Sequence, residues 1–380
     1  MSYRAIGLHP AELPEEARAL QAEVREFIHA ELGDHPADGA SVGFNPRSPE
    51  FSRKVGARGW IGMTWPKAYG GHGRTMLERF IVTEEFLASG APVGAHWIAD
   101  RQSGPLLIRF GTDSQRARFL PGIVRGELYF SIGMSEPDAG SDLAGVRTAA
   151  RKVEGGWRVN GRKTWTSGAH LSHFMITLCR TAPAEDRHQG LSQLIVDLSA
   201  PGIEISPVRY MTGEHHWNDI VFDDHFVPDD MLVGEEGAGW KQVTSELVLE
   251  RSGPERYMSA FQLLVALVDA VGPEPDVHAA SVVAVLYSQL WTLRRMAMAV
   301  AHELDRGGNP GTEAALVKDL GTRFEGSVVE AAREIVPPGD RQGQFEDILE
   351  HAILSKPAFT LRGGTSEILR SVVAKGLGAR

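Results

Sequence analysis

The sequence predicts an α+β protein, mainly helical, in three successive blocks: a helical N-terminal domain over residues 1–126, a β domain over 127–235 and a helical bundle over 236–380. Three observations carry this expectation. Apolar residues recur every three or four positions near both ends of the chain. Between Glu127 and Gly234 the texture changes to short β-rich runs broken by glycine-containing pairs. Helical spacing then returns after Gly237-Ala238-Gly239.

Taken in order, Leu13 to about Leu32 reads as a helix that is acidic at its start, followed by Pro-, Gly- and Asn-rich sequence to Pro49 that reads as a loop. Thr75 to Ser89 reads as a second helix, with Met76, Phe80 and Leu87 at helical spacing. Thr112, Asp113 and Ser114 offer start signals for another, which Pro121 and Gly122 should end. The expected strands are Trp157 to Val159, Phe174 to Leu178, Leu194 to Leu198 and Asp219 to Phe222. Gly155-Gly156, Asn160-Gly161 and Pro201-Gly202 punctuate them, and Asn160-Gly161 carries a hairpin signal. In the last block Val282, Leu286, Leu290, Leu293, Ala297, Val300 and Leu304 form one long stripe. Val317, Leu320, Phe324, Val328, Ala331 and Ile335 form another, and a further helix begins near Thr365.

Bulk properties narrow the function. At 380 residues, with 42% apolar and 23% charged residues, the chain has the balance of a globular protein. A formal charge of −10 argues against nucleic acid or an anionic membrane as partner, so an anionic ligand must be held by local donors. Cys179 is the only cysteine, which excludes an intrachain disulfide and thiolate-rich metal sites. The opening MSYRAIGLHPAELPEE has no basic region followed by an apolar run, and no stretch approaches a membrane span. A cytoplasmic enzyme is the default expectation.

Four clusters carry candidate chemistry. In MSEPDAGSD, Met134 to Asp142, Pro137 and Gly140 shape a chain rich in hydroxyls and carboxylates, able to aim donors at a planar polar ligand. A polar interdomain turn is the plain alternative. In GRKTWTSG, Trp165 offers a flat aromatic face with Ser167 two residues on, on the same strand face, although a strand tryptophan is more often core. Trp240, Val243, Leu247 and Glu250 step by three or four, which sets Glu250 on the apolar side of a helix that Gly253-Pro254 should end. A carboxylate there either pairs with a cation or is desolvated, and a desolvated one suits a general base. In LRGGTSEILR, paired glycines before Thr365 let a helix start approach a phosphate. His170, His173, His215 and His216 lack helical i, i+4 spacing and are read as strand or surface residues, so no metal is assigned. Walker and dinucleotide-fold glycine motifs are absent.

The order of these clusters resembles the acyl-CoA dehydrogenase family over nearly the whole chain, in a bacterial fatty-acid or steroid type. Trp65-Pro66 with Tyr69-Gly70-Gly71 is similar to its N-terminal signature, and Phe110-Gly111-Thr112 with Gln115 and Leu120-Pro121 to its fourth-helix region. MSEPDAGSD and KTWTSG resemble its flavin-binding stretches, and GGTSEI with Arg370 its C-terminal signature. The resemblance implies a helical N-terminal domain, a central β-barrel domain, a C-terminal four-helix bundle, and FAD between the last two. It implies cofactor contacts from Met134, Ser135, Gly140, Ser141, Trp165, Ser167, Gly364, Thr365 and Glu367, and acyl-CoA contacts from Ser141, Arg251 and Gly363. A base would take the α proton while the β hydrogen leaves as hydride to the flavin, with the Gly363 N–H steadying the thioester oxygen. Many members carry the base where this chain has Gly363; Glu250-Arg251 matches the minority that place it on the bundle helix. Val248 stands where an aspartate is common. An electron-transfer flavoprotein is the implied acceptor. No Arg-x-x-Phe-Gly segment lies between Arg251 and Thr365, which points to a homo- or hetero-oligomer with FAD binding tied to the interface. The rivals are a same-fold flavin oxidase or monooxygenase, and a non-catalytic partner subunit.

Overall fold

The computed structural model describes residues 6–33, 46–183 and 185–379, and the side chains of residues 246–249 lie outside the described set. Among the described residues, five α-helices come first: α1 (Glu15–Leu32), α2 (Pro49–Ala57), α3 (Met76–Ala88), α4 (Gly104–Phe110) and α5 (Asp113–Val124). Seven strands follow: β1 (Phe130–Gly133), β2 (Ala149–Val153), β3 (Gly156–Ser167), β4 (Phe174–Arg180), β5 (Leu191–Asp197), β6 (Ile203–Arg209) and β7 (His215–Pro228). The last helices are α6 (Gly239–Arg251), α7 (Phe261–Val271), α8 (Val277–Asp305), α9 (Gly311–Ile335), α10 (Gly343–Phe359) and α11 (Ser366–Gly376). The helical, β, helical order is the one the sequence predicts. By contacts the chain forms two compact units: Met1–Arg47, Arg74–Val93 and Val248–Arg380 make one, Ser48–Gly73 and Gly94–Leu247 the other.

The first unit is helical. Ala17, Leu20, Val24, Phe27 and Ile28 bury one face of α1, as three-to-four spacing requires. Thr75 caps α3 with a capping box: its hydroxyl accepts the Glu78 N–H at 3.1 Å while Glu78 accepts the Thr75 N–H at 2.8 Å. Asp305, at the end of α8, accepts the Met76 and Leu77 N–H groups at 2.6 and 3.2 Å. Leu77, Phe80 and Ile81 share a core with Leu263, Leu286, Leu293, Val317, Phe324 and Val328. Burying each such side chain stabilises by about 1.5–3 kcal/mol. Of the two expected stripes, Leu286, Leu293, Ala297, Val300, Val317, Phe324, Val328 and Ala331 are buried, and Val282, Leu290, Leu304, Leu320 and Ile335 pack partly buried against them. Glu84 and Arg294 cross this core as a bidentate pair, with N···O distances of 2.8–3.0 Å.

The second unit is built on a seven-stranded sheet of order β1-β4-β2-β3-β7-β6, with β5 also paired to β4. β1 and β4 run parallel; β2–β3, β3–β7, β6–β7 and β4–β5 are antiparallel. Phe119 on α5 meets Phe130 and Phe174 edge-on at 5.6 and 5.0 Å, joining helix to sheet. Two local expectations are corrected here. Asn160-Gly161, expected as a hairpin turn, lies inside β3 at a bulge; the β2–β3 turn is Glu154-Gly155 instead. Gly161 has φ 145°, and a Cβ there would fall 2.7 Å from Thr148 Cα, so the glycine serves a close strand approach rather than a reversal. Pro121 does not end α5, which continues to Val124. Phe119, Leu120 and Ile123 are buried around it, and that packing offsets the one lost helical hydrogen bond. No helix among the described residues is long and apolar enough to cross a membrane.

Candidate active site

In the sheet-based unit, the stretch after β1 is closed on itself. Glu136 and Ala139 exchange both backbone hydrogen bonds, at 3.0 and 3.1 Å. The Glu136 carboxylate is buried and accepts from Lys163 Nζ at 2.8 Å, the Arg147 N–H at 2.7 Å and the Thr148 N–H at 2.9 Å. Burial pushes the Glu136 carboxyl upward, but Lys163 and these N–H groups together hold it below its ordinary value. Lys163 also donates to Met134 O at 3.0 Å, and the Thr164 N–H donates to Ser135 O at 2.9 Å. Met134 and Ser135 are thus fixed by their main chain and half-buried, while Gly140, Ser141 and Asp142 are exposed, with Asp142 paired to Arg187. Cys179 is buried beside Lys163, and burial raises its thiol to about 12, so it is no nucleophile.

Trp165 owes its position to a bulge. Strict alternation from buried Lys163 would bury Trp165 as well. Instead the register shifts between Lys163 and Thr166, Trp165 takes φ 57°, and its indole is 57% exposed. Ser167 is exposed too. Trp165 and Ser167 are exposed on either side of buried Thr166, and the irregularity lies between Lys163 and Thr166. Trp165 rests edge-on against Trp217 at 5.5 Å. Beneath it, Asn218 donates to Thr166 O at 2.9 Å and faces His170 Nδ1 and His215 Nε2 at 3.1 and 2.8 Å, with the two imidazoles stacked at 3.7 Å. His216 meets Glu214, and His173 Nδ1 accepts the Tyr129 N–H. Among the described residues no three His, Cys, Asp or Glu side chains gather to hold a metal.

In the helical unit, Glu250 is half-buried near the end of α6, and Gly253-Pro254 ends that helix as expected. Its apolar-side companion Val243 is buried, while the side chains of Leu247 and Val248 lie outside the described residues. Of the two readings left open for this carboxylate, the geometry shows a cation contact. Arg256 Nη2 lies 3.1 Å from Glu250 Oε1, and Arg256 Nε donates to Glu250 O at 2.7 Å. Facing them is the glycine turn before α11. Gly363 and Gly364 have φ 69° and 99°, conformations that favour glycine. A Cβ at Gly363 would stand 3.1 Å from the Arg256 guanidinium and 3.2 Å from Glu250 Oε1.

Two further cations grip the carbonyls of that turn. Arg251 Nε donates to Gly363 O at 3.2 Å, and Lys318 Nζ donates to Gly364 O at 2.7 Å. Lys318 is fully buried; burial, then Arg256 and Arg362, lower it to about 7 against the pull of Glu325 and Glu250. Thr365 caps α11 by accepting the Ile368 N–H, and its neighbour Glu367 is exposed at the helix start. Arg370 reaches Asp319 at 3.5 Å. Arg256 and Lys318 carry no motif in the sequence. The only hint for Lys318 is a lysine at helical spacing from Ala315 and Gly321, both buried.

Models of the acyl-CoA dehydrogenase N-terminal, middle and C-terminal domains match residues 14–127, 131–225 and 278–378. The chain is 32% identical to acyl-CoA dehydrogenase FadE34 of Mycobacterium tuberculosis over 94% of its own length, but spans only half of that protein. Its identity to acyl-CoA dehydrogenase IpdE1 of the same organism is 31%, covering 95% of this chain and 97% of the relative. Among solved structures it is similar to the Tcur3481-Tcur3483 steroid ACAD, with TM-score 0.85 and 29% identity over 97% of this chain and 99% of that one. The ChsE4-ChsE5 complex from Mycobacterium tuberculosis gives TM-score 0.81 and 27% identity over 96% and 98%. With all three domain types matched in order, and a relative covered over 97% of its length, the chain belongs to the acyl-CoA dehydrogenase family.

Proposed function

We propose that the chain catalyses FAD-dependent α,β-dehydrogenation of an acyl-CoA thioester to the 2-enoyl-CoA, with Glu250 as general base. The observation that carries this reading is the Glu250 carboxylate beside the Gly363 turn, 3.2 Å from where a Cβ on Gly363 would stand. Family members that carry the base at the position of Gly363 would place a carboxylate in the same small volume. Here the helix delivers it instead.

The residues present fit a flavin. In the sheet-based unit, Met134 and Ser135 present a fixed polar edge, Trp165 an exposed aromatic face and Ser167 a hydroxyl beside it. Gly140 and Ser141 sit in the same exposed turn, Ser141 also toward the CoA moiety. In the helical unit, Gly364, Thr365 and Glu367 open α11, where the buried Ser366 hydroxyl has no hydrogen-bond partner among the described residues. When bound, FAD would supply the two-electron acceptor for the hydrogen leaving the β carbon. Glu250 takes the α proton, Arg251 holds the turn, and the Gly363 N–H donates to the thioester oxygen as negative charge develops there. The two-chain names of the solved relatives support a heteromeric assembly, and the word steroid in one supports an acyl group joined to a steroid-like ring. An electron-transfer flavoprotein is the proposed acceptor and the cytoplasm the proposed location.

The test is anaerobic bleaching of the flavin by a panel of straight, branched and steroid-linked acyl-CoAs. Glu250→Gln should retain flavin and lose about 10²–10⁴-fold in bleaching rate, the usual contribution of a positioned base. Near-full activity in that variant places the base elsewhere, and no bleaching by any acyl-CoA removes the dehydrogenase reading.

A further inference from the structure

Resting on the dehydrogenase reading, we infer that Arg256 is the positioning residue of the base: it holds Oε1 of Glu250, leaving Oε2 to take the α proton. Arg256 grips Glu250 at two points, the main-chain oxygen at 2.7 Å and the carboxylate at 3.1 Å. A guanidinium presents several N–H groups in a fixed fork, so binding both ends of one residue fixes the direction of its side chain. A lysine cannot reproduce that double hold.

Arg256 is itself immobilised. Two residues after Pro254, it closes a turn through its N–H to Gly253 O at 3.2 Å, and it is buried. Gly321 on α9 lies so close that a Cβ there would overlap the Arg256 carbonyl oxygen. On the other side, the bare Gly363 leaves room for both the guanidinium and the carboxylate. Among the described residues, the charged groups coupled to Glu250 are Arg251 beside it on α6, Arg256 in the following turn and Lys318 from α9. Behind Lys318 stand Glu325 on the same helix, Arg362 in the loop before Gly363, and Glu367 on α11. Arg251 Nε and Lys318 Nζ donate to the glycine carbonyls. Among the described residues Arg256 is the cation seen to touch the base.

The chemistry is balanced by the proposed reaction. The α C–H bond breaks, its proton goes to Oε2, and its electron pair forms the new double bond as the β hydrogen leaves with its own pair for the bound flavin. With Oε1 and the main-chain oxygen held, Oε2 keeps a fixed line toward the α carbon, so the contribution of Arg256 is aim.

The experiment uses the flavin-loaded protein, with any partner chain, and Arg256→Gln; Arg256→Met replaces it if it does not fold. The limiting bleaching rate is measured with an acyl-CoA that bleaches the wild type, and its Kd is taken from the same titration. In Arg256→Gln the limiting rate should fall by about tenfold with Kd within about threefold, as loss of aim at the base requires. Arg256→Lys keeps the charge but not the double hold, so it should recover less than half of the lost rate. A second readout needs neither flavin nor turnover: labelling of Glu250 by a water-soluble carbodiimide and an amine, mapped by mass spectrometry, should be several-fold faster in Arg256→Gln. An unchanged limiting rate, full recovery by Arg256→Lys, or unchanged labelling overturns the inference. If no acyl-CoA bleaches the wild type, the dehydrogenase reading falls by itself and the labelling alone decides whether Arg256 holds Glu250.

Discussion

The two units place carboxylate and lysine side chains to opposite ends. In the sheet-based unit, Glu136 and Lys163 are buried together, with the carboxylate met by one ammonium and two backbone N–H groups. Full satisfaction of this kind makes a rigid scaffold, and its product is a fixed main chain at Met134 and Ser135. In the helical unit, Lys318 is buried against a carbonyl oxygen and two arginines, while Glu250 stays half-buried on the Arg256 guanidinium. One pair is closed and structural. The other set is under electrostatic tension, the state in which proton-handling groups are kept.

The largest effect should come from breaking the closed pair. Lys163→Met leaves Glu136 buried without its cation, at a cost of about 3–5 kcal/mol, read by urea or thermal unfolding. A variant that melts with the wild type would show that Glu136 is satisfied by backbone N–H groups alone, and the contrast would collapse.

A smaller effect should appear at Lys318, and its sign is opposite to that of a stabilising ion pair. Its proton is lost near pH 7 in the fold and near the ordinary lysine value when unfolded, so the unfolded chain binds more protons in between. Stability should therefore rise as pH increases from about 7 toward about 10, with a slope of at most ~1.4 kcal/mol per pH unit. Lys318→Met should lack this slope, and wild-type and variant unfolding curves measured at pH 7 and 9 decide it. Equal slopes would mean that Lys318 keeps its proton throughout.

The smallest stability effect should be at Trp165. Its indole is more than half exposed, so Trp165→Ala should change unfolding by no more than about 0.5 kcal/mol. Flavin retention, read from absorbance after gel filtration, should nevertheless fall. A large loss of stability would mean that Trp165 is a packing residue and not a cofactor surface.

Much of this was legible in the chain itself because it depends on near neighbours. The capping boxes at Thr75 and Thr112, the start of α11 at Thr365, and the stripes on α8 and α9 are local patterns. Contacts between distant residues defeat such reading. Asn160-Gly161 has the composition of a turn, yet Thr148 pressing on Gly161 makes it a bulge. Strand spacing puts Trp165 and Ser167 on one face without saying which, and only the shifted register with β7 explains why Trp165 is outside. Glu250 could be singled out from helical spacing, whereas Lys318 meets its carbonyl partner 46 residues later and had no pattern to betray it.

Asp305 has a consequence for how the chain is made. It supplies the carboxylate for the first turn of α3, 229 residues before it. At about 5–20 residues per second of synthesis, α3 waits about 11–46 s for that partner. Its core neighbours Leu286 and Leu293 arrive on the same late schedule. Every residue of the sheet-based unit leaves the ribosome before Asp305 does, so that unit is free to fold while α1 and α3 still carry an uncovered apolar face. Nascent chains stalled before α8 should therefore recruit holding chaperones through their N-terminal helices, and release them once α8 has emerged.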